Sequence, residues 1–220
     1  MILRPEQILY CDNHLLALDK PAGLLCQPSG TEEASLEAMG KAWLKERFQK
    51  PGNVFLEAVH RIDRPVSGIV LFARTSKALS RLNEAQRSGL WRKTYQAWVS
   101  GTMRDHEGEL VSWLLHDEHR ARVVAPETPG AKEARLTYRV VKSEAGRTLL
   151  EVQLQTGRYH QIRAQLAAAG CPILGDVKYG SRASWQGGEN IALRHCRLEF
   201  PHPVTRETIV LSASWNDCNH

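Results

Sequence analysis

The chain has 220 residues, 42% of them hydrophobic and 24% charged, a balance that excludes pervasive disorder and suffices for one large domain or two small subdomains sharing a cleft. Its longest apolar run, Ile69 to Ala73, falls far short of the roughly 20 residues that cross a bilayer, and no basic-then-apolar leader opens it, so a cytoplasmic protein is expected. Lysine and arginine exceed aspartate and glutamate by 29 − 24 = 5, with a pI of about 9.0, which suits a polyanion such as nucleic acid without requiring one.

Leu15 to Leu18 reads as a strand delivering Lys20 to a turn that Pro21-Ala22-Gly23 forces. Ser35 to Lys50 carries Leu36, Met39, Trp43, Leu44 and Phe48 near helical period and stops at Pro51-Gly52, which predicts an amphipathic helix. Val54 to Val59 and Ile69 to Ala73 are rich in β-branched and aromatic residues and predict strands, so the polar segment between them is their connection. Ser76 to Ser88 reads as a helix with Ser76 as N-cap and Gly89 just past its end. Lys93 to Val99 alternates as a strand does, with Tyr95, Ala97 and Val99 on one face. Further strands are predicted at Leu110 to Leu115, Ala121 to Val124, Leu136 to Val141 and Thr148 to Leu154, joined by loops short enough for antiparallel pairing. A helix from His160 to Ala169, closed by Gly170, precedes strands at Ile191 to Phe200 and Thr208 to Ala213. Runs of strands broken by few helices give an α+β class. Pro126 to Lys132 and Gly180 to Gly188 read as surface loops rather than domain boundaries, so a single domain over 1–220 is expected.

The five cysteines have no CxxC spacing and suggest neither a disulfide framework nor a zinc ribbon. The connection His60-Arg61-Ile62-Asp63-Arg64-Pro65-Val66-Ser67-Gly68 sets Asp63 among cations, which favour a carboxylate in its charged form and fit it to act as nucleophile or base. A solvated surface cluster would have the same composition, but apolar strands on both sides hold this one at the edge of a core. Thr156 to Arg163 is a second set of donors, where Arg158, His160, Gln161 and Arg163 can contact phosphate or fix a carboxylate. Positive charge at a helix start opposes the dipole and calls for a partner. His116-Asp117-Glu118-His119 has the look of a metal half-site but lacks HExxH and a distant third ligand, and reads as a polar turn. No phosphate-binding loop, dinucleotide fingerprint or nucleophile elbow is present.

Taken in order, Asp19-Lys20-Pro21-Ala22-Gly23, His60 to Gly68, Lys93-Thr94-Tyr95, Thr156 to Arg163, Gly170 to Asp176, Tyr179-Gly180 and Phe200-Pro201-His202-Pro203 resemble the RluA family of RNA pseudouridine synthases. The resemblance runs from about Ile8 to the carboxyl end and implies a pseudouridine synthase fold, a mixed and largely antiparallel sheet with flanking helices and a central cleft. It implies a short form without the N-terminal helical RNA-binding domain that many relatives carry. It makes Asp63 the catalytic aspartate, Tyr95 the aromatic that stacks on the target uracil, and Arg163 the salt-bridge partner of Asp63. Arg61 falls where relatives fill the space of the flipped base. Lys20 and Lys93, with His60, Arg158, His160 and Gln161, would support RNA binding or the site's structure. The implied partner is a tRNA or ribosomal RNA stem-loop, met by a monomer with no metal and no organic cofactor. Three departures are Ile62 for leucine, Val66 for threonine, and Gln165 where a second histidine often stands. Competing expectations are a non-catalytic RNA-binding protein on the same fold and a metal-dependent nuclease using His116 and His119.

Overall fold

The computed structural model describes residues 2–30, 33–186, 190–213 and 215. Cys218 and the Gly187-Gly188 part of the expected Gly180 to Gly188 loop lie outside them. In chain order the elements are β1 (Ile8–Cys11), β2 (Leu15–Lys20), α1 (Leu36–Arg47), β3 (Glu57–Ala58), β4 (Ser67–Ala73), α2 (Ser76–Arg87), β5 (Arg92–Ser100), β6 (Glu107–Asp117), β7 (Arg120–Val124), β8 (Lys132–Glu144), β9 (Arg147–Leu154), α3 (Gln161–Ala168), β10 (Leu193–Pro201) and β11 (Thr208–Ser212). The α+β expectation holds. The chain divides into two compact units, Met1–Arg92 with His195–His220, and Lys93–Arg194.

In the first unit the strand order is β1-β2-β4-β10-β11, with β3 also beside β4. Leu15 to Leu18 and Ile69 to Ala73 are wholly buried, as unbroken apolar runs require when both faces of a strand are covered. The core gathers Ile69, Leu71, Leu82, Trp91, Leu198 and Phe200. Ser35 caps α1, its hydroxyl accepting the Ala38 amide at 3.2 Å. Within α1, Gly40 leaves room for Leu56, whose Cδ2 would lie 2.7 Å from any added Cβ. The expected strand Val54 to Val59 contracts to the two residues of β3 because Leu56 plugs against that helix and the chain leaves the ladder after Val59, whose amide donates to the Leu71 carbonyl at 2.9 Å. The cap of α2 is Thr75 rather than Ser76, with its hydroxyl accepting the Ala78 amide at 3.1 Å.

The second unit is an antiparallel sheet in the order β5-β9-β8-β6-β7. Tyr95 stands opposite Val152 and Ala97 opposite Leu150, all four buried. Helix α3 lies on this sheet through Ala164, which packs with Leu114, Ala121 and Ala134; such small side chains let helix and strands approach closely. Gln165 is buried, and its amide donates to the carbonyls of Leu110 at 2.9 Å and Ala134 at 3.1 Å. The departure at this position therefore fastens helix to sheet.

Candidate active site

Strands β2 and β4 are antiparallel with Lys20 opposite Gly68, so the segment after β2 and the segment before β4 emerge at the same end of the sheet. They are laced together there. The Lys20 ammonium, fully buried, donates to the carbonyls of Pro21 at 3.0 Å, Leu24 at 2.8 Å and Arg64 at 3.0 Å. The Gly23 amide also donates to the Arg64 carbonyl, at 2.8 Å, and the Arg64 Nε returns a bond to the Gly23 carbonyl at 3.0 Å. The buried Cys26 thiol, its pKa raised by burial, donates to the Ile62 carbonyl at 3.2 Å. Asp63 thus sits between two anchored peptide groups, and its own carbonyl accepts the Val66 amide at 3.0 Å to close a turn around Arg64 and Pro65. Asp63 is half-buried, while Arg61 and Arg64 are exposed. A residue whose backbone is clamped on both sides presents its side chain from a fixed origin.

His60 is buried and works on the other flank. Its Nε2 accepts the Leu71 amide at 3.1 Å, so in the neutral ring the proton is on Nδ1. His195, fully buried, contributes the complementary bond, with Nδ1 2.7 Å from the Ile69 carbonyl, which assigns that nitrogen as the donor. The two rings meet edge to face at 5.3 Å. Between them they satisfy backbone groups of β4 where the chain leaves its ladder, a need that buried amides and carbonyls impose. Gly68 makes the close approach to His195 possible. At φ +115°, an added Cβ would lie 2.3 Å from the His195 carbonyl oxygen, a collision no rotamer relieves.

Burial lowers the Lys20 pKa from 10.5 to about 8, with Cys26, Asp63 and Asp19 pulling the other way. The folded value lies below the unfolded one, so between pH 8 and 10.5 the unfolded chain binds more protons and this residue's contribution to stability rises with pH. The gap is worth about 3 kcal/mol. We therefore expect the unfolding free energy of the wild type, relative to Lys20→Met, to climb by about 3 kcal/mol across that interval. Parallel curves for the two proteins from pH 7 to 11 would show that no charged ammonium is buried there.

The second unit holds the other expected residues. Tyr95 is buried on β5. Lys93, two residues earlier, is partly buried, and loss of water lowers its pKa to about 8. Arg163 on α3 forms a buried two-pronged ion pair with Asp176, Nε to Oδ2 at 2.7 Å and a terminal nitrogen to Oδ1 at 2.9 Å. Its guanidinium also lies 5.0 Å above the Tyr179 ring. Asp176 answers the need for a counter-charge at this helix. The sequence analysis gave it no role, because a lone aspartate after Gly175 signals only a turn.

Gln161 is buried, its carbonyl oxygen accepting the Thr156 hydroxyl at 2.8 Å and the Arg158 amide at 3.0 Å, its amide donating to the Arg135 carbonyl at 3.0 Å. It shapes the turn that presents Arg158, which is exposed. The buried His160 ring has Nδ1 at 2.9 Å from the Tyr179 hydroxyl. Of the residues grouped as RNA contacts, Lys20, His60, His160 and Gln161 are thus built into the protein's own framework, and Arg61 and Arg158 face solvent. His116 packs at a tilt against Tyr159, Asp117 pairs with Arg122 at 3.2 Å, and among the described residues no group of three or more His, Cys, Asp or Glu stands together as metal ligands.

This arrangement of strands and helices is the pseudouridine synthase fold. The solved structure of human RNA pseudouridylate synthase domain containing 4 superposes with a TM-score of 0.80 at 21% identity, covering 96% of this chain and 89% of that one. Residues 14–168 match the RNA pseudouridylate synthase family. YhcT of Bacillus subtilis (strain 168), titled an uncharacterized RNA pseudouridine synthase, is 32% identical over 94% of this chain and 67% of its own length. Ribosomal large subunit pseudouridine synthase C of Escherichia coli (strain K12) is 33% identical over 96% of this chain and 67% of its own; the Vibrio vulnificus (strain CMCP6) protein of that title is 32% identical over 94% and 65%. The chain spans about two thirds of the length of these relatives. It belongs to the RNA pseudouridine synthase family, RluA-like as the motifs implied, and its class is that of an RNA-modifying isomerase.

Proposed function

We propose that this chain converts a uridine in a structured RNA, a ribosomal or transfer RNA stem-loop, to pseudouridine, with Asp63 acting at the ribose. The observation that carries the reading is the clamping of Asp63 between the Ile62 and Arg64 carbonyls, held by Cys26, Lys20 and Gly23. A solvated surface cluster has no need of a buried ammonium and a buried thiol to hold its backbone.

In the reaction the bond from uracil N1 to ribose C1′ breaks, the uracil turns, and C5 bonds to C1′ while the C5 proton is lost and one is gained at N1. Atoms and charge balance within the substrate, so no co-substrate or cofactor enters. The ionised Asp63 serves either as nucleophile at C1′ or as base toward the neighbouring ribose carbon. The resemblance gives Arg163 the part of keeping that carboxylate charged. Tyr95 stacks on the uracil, and Arg61 fills the vacated place in the helix, offsetting the few kcal/mol that base flipping costs. The relatives titled for the ribosomal large subunit make that RNA the first to test. The protein acts as a cytoplasmic monomer; among the described residues no helix is long and apolar enough to cross a membrane.

Chemical mapping of pseudouridine across ribosomal and transfer RNA, from cells with and without the gene, tests this directly. Loss of pseudouridine at one or a few positions is expected, restored by the wild-type gene. Identical maps would overturn the proposal.

A further inference from the structure

Next to Arg163 the second unit carries a set of rings that the reaction does not use. Tyr159 is 44% exposed, yet its ring lies flat on that of His160, with centroids 3.8 Å apart and planes inclined by 17°. His116, exposed on β6, packs against the same tyrosine at 4.2 Å. Consecutive residues in a regular helix do not face each other. Here they do because His160 adopts the left-handed conformation, φ 50°, which a side-chain-bearing residue enters only against a steric cost. Backbone held in such a region is a feature of binding and catalytic sites, where surrounding bonds enforce it.

Those bonds are present. His160 is fixed by the Tyr179 hydroxyl, which accepts the Ala121 amide at 2.8 Å from β7, and Tyr179 lies under the Arg163 guanidinium. The column is therefore rigid from Arg163 out to its exposed members. Arg158, next in sequence to Tyr159, is exposed and tied by Nε to the Glu133 carbonyl at 2.9 Å. Lys178 is exposed and anchored to the His119 carbonyl at 3.0 Å. Of the acidic residues in the connecting turn, Asp117 pairs with Arg122 at 3.2 Å and Glu118 is exposed. An exposed Tyr159 ring pre-stacked on His160, with His116 tilted at 44° against it and cations alongside, has the chemistry of a platform for a nucleic-acid base with its phosphates alongside.

We propose that His116 and Tyr159, supported by His160, form a stacking site for an unpaired nucleotide of the RNA substrate, separate from the uridine that reacts. The inference rests on the reading of the chain as an RNA-modifying enzyme and adds a contact that helps select the RNA. A protein ligand that buries an apolar side chain on the column is the alternative occupant, and it would show no dependence on bases.

The test is fluorescence anisotropy with a labelled short oligoadenylate and with an abasic strand of the same length, which keeps the phosphates and lacks the rings. Tyr159→Ala is expected to weaken oligoadenylate binding by roughly 5- to 150-fold and to leave abasic binding unchanged, while Tyr159→Trp retains wild-type affinity. Unchanged oligoadenylate binding by Tyr159→Ala would overturn the proposal. So would an equal loss on both strands, which signals lost charge or fold, and so would full affinity in Tyr159→Leu, which signals simple apolar cover. Pseudouridine formation by the wild type is measured separately, so failure of the stacking site and failure of the enzymatic reading give different results.

Discussion

Asp63→Asn is expected to abolish pseudouridine formation while RNA binding and folding persist. Asparagine has the size of aspartate but no charge, so it serves neither as nucleophile at the sugar nor as base toward it, and a lost nucleophile or base costs about 10⁴-fold or more in rate. The loop should survive, because the bonds that fix it run through main-chain groups: the Asp63 carbonyl to the Val66 amide, the Ile62 carbonyl to Cys26, and the Arg64 carbonyl to Lys20 and Gly23. Mass spectrometry of the RNA product after single-turnover reaction, with binding measured on the same RNA, separates chemistry from recognition. Turnover within tenfold of the wild type, on the order of 1 kcal/mol in barrier, would remove Asp63 from the chemical step.

How much of this was legible in the sequence depends on how local each cause is. The strands Leu15 to Leu18 and Ile69 to Ala73 were readable because a continuous apolar run bounded by turn residues carries its own signal, and both are buried on the two faces as that pattern demands. The capping of α1 by Ser35 obeys a rule that spans four residues. The cap of α2 slipped by one position because Thr75 and Ser76 are both able caps. The run Val54 to Val59 failed as a full strand for a nonlocal reason, the packing of Leu56 on Gly40. The residues that build the loop around Asp63 were harder still. Lys-Pro-Ala-Gly reads as an exposed turn, and the burial of Lys20 against three carbonyls emerges only when β2 and β4 pair. His195 stands 126 positions from Ile69, whose carbonyl it meets, and no local pattern announces such a bond.

Asp176→Ala is expected to destabilise the protein by about 3 to 5 kcal/mol, because the pair it breaks is among the most deeply buried charged groups described. The side chains of Arg163 and Asp176 are 6% and 1% exposed and joined by two short bonds. Removing the carboxylate takes two charge-assisted bonds from a buried guanidinium, where water cannot repay the loss. Denaturant unfolding followed by circular dichroism measures the change; a loss below about 1 kcal/mol would mean the pair contributes no more than a surface bridge. The double variant Arg163→Met with Asp176→Leu removes both charges at similar volume and should recover most of the stability, since well-packed apolar residues often replace a buried ion pair at little cost. It should not recover pseudouridine formation if Arg163 holds Asp63 charged and oriented. Full activity in that stable double variant would show that Arg163 serves the fold alone.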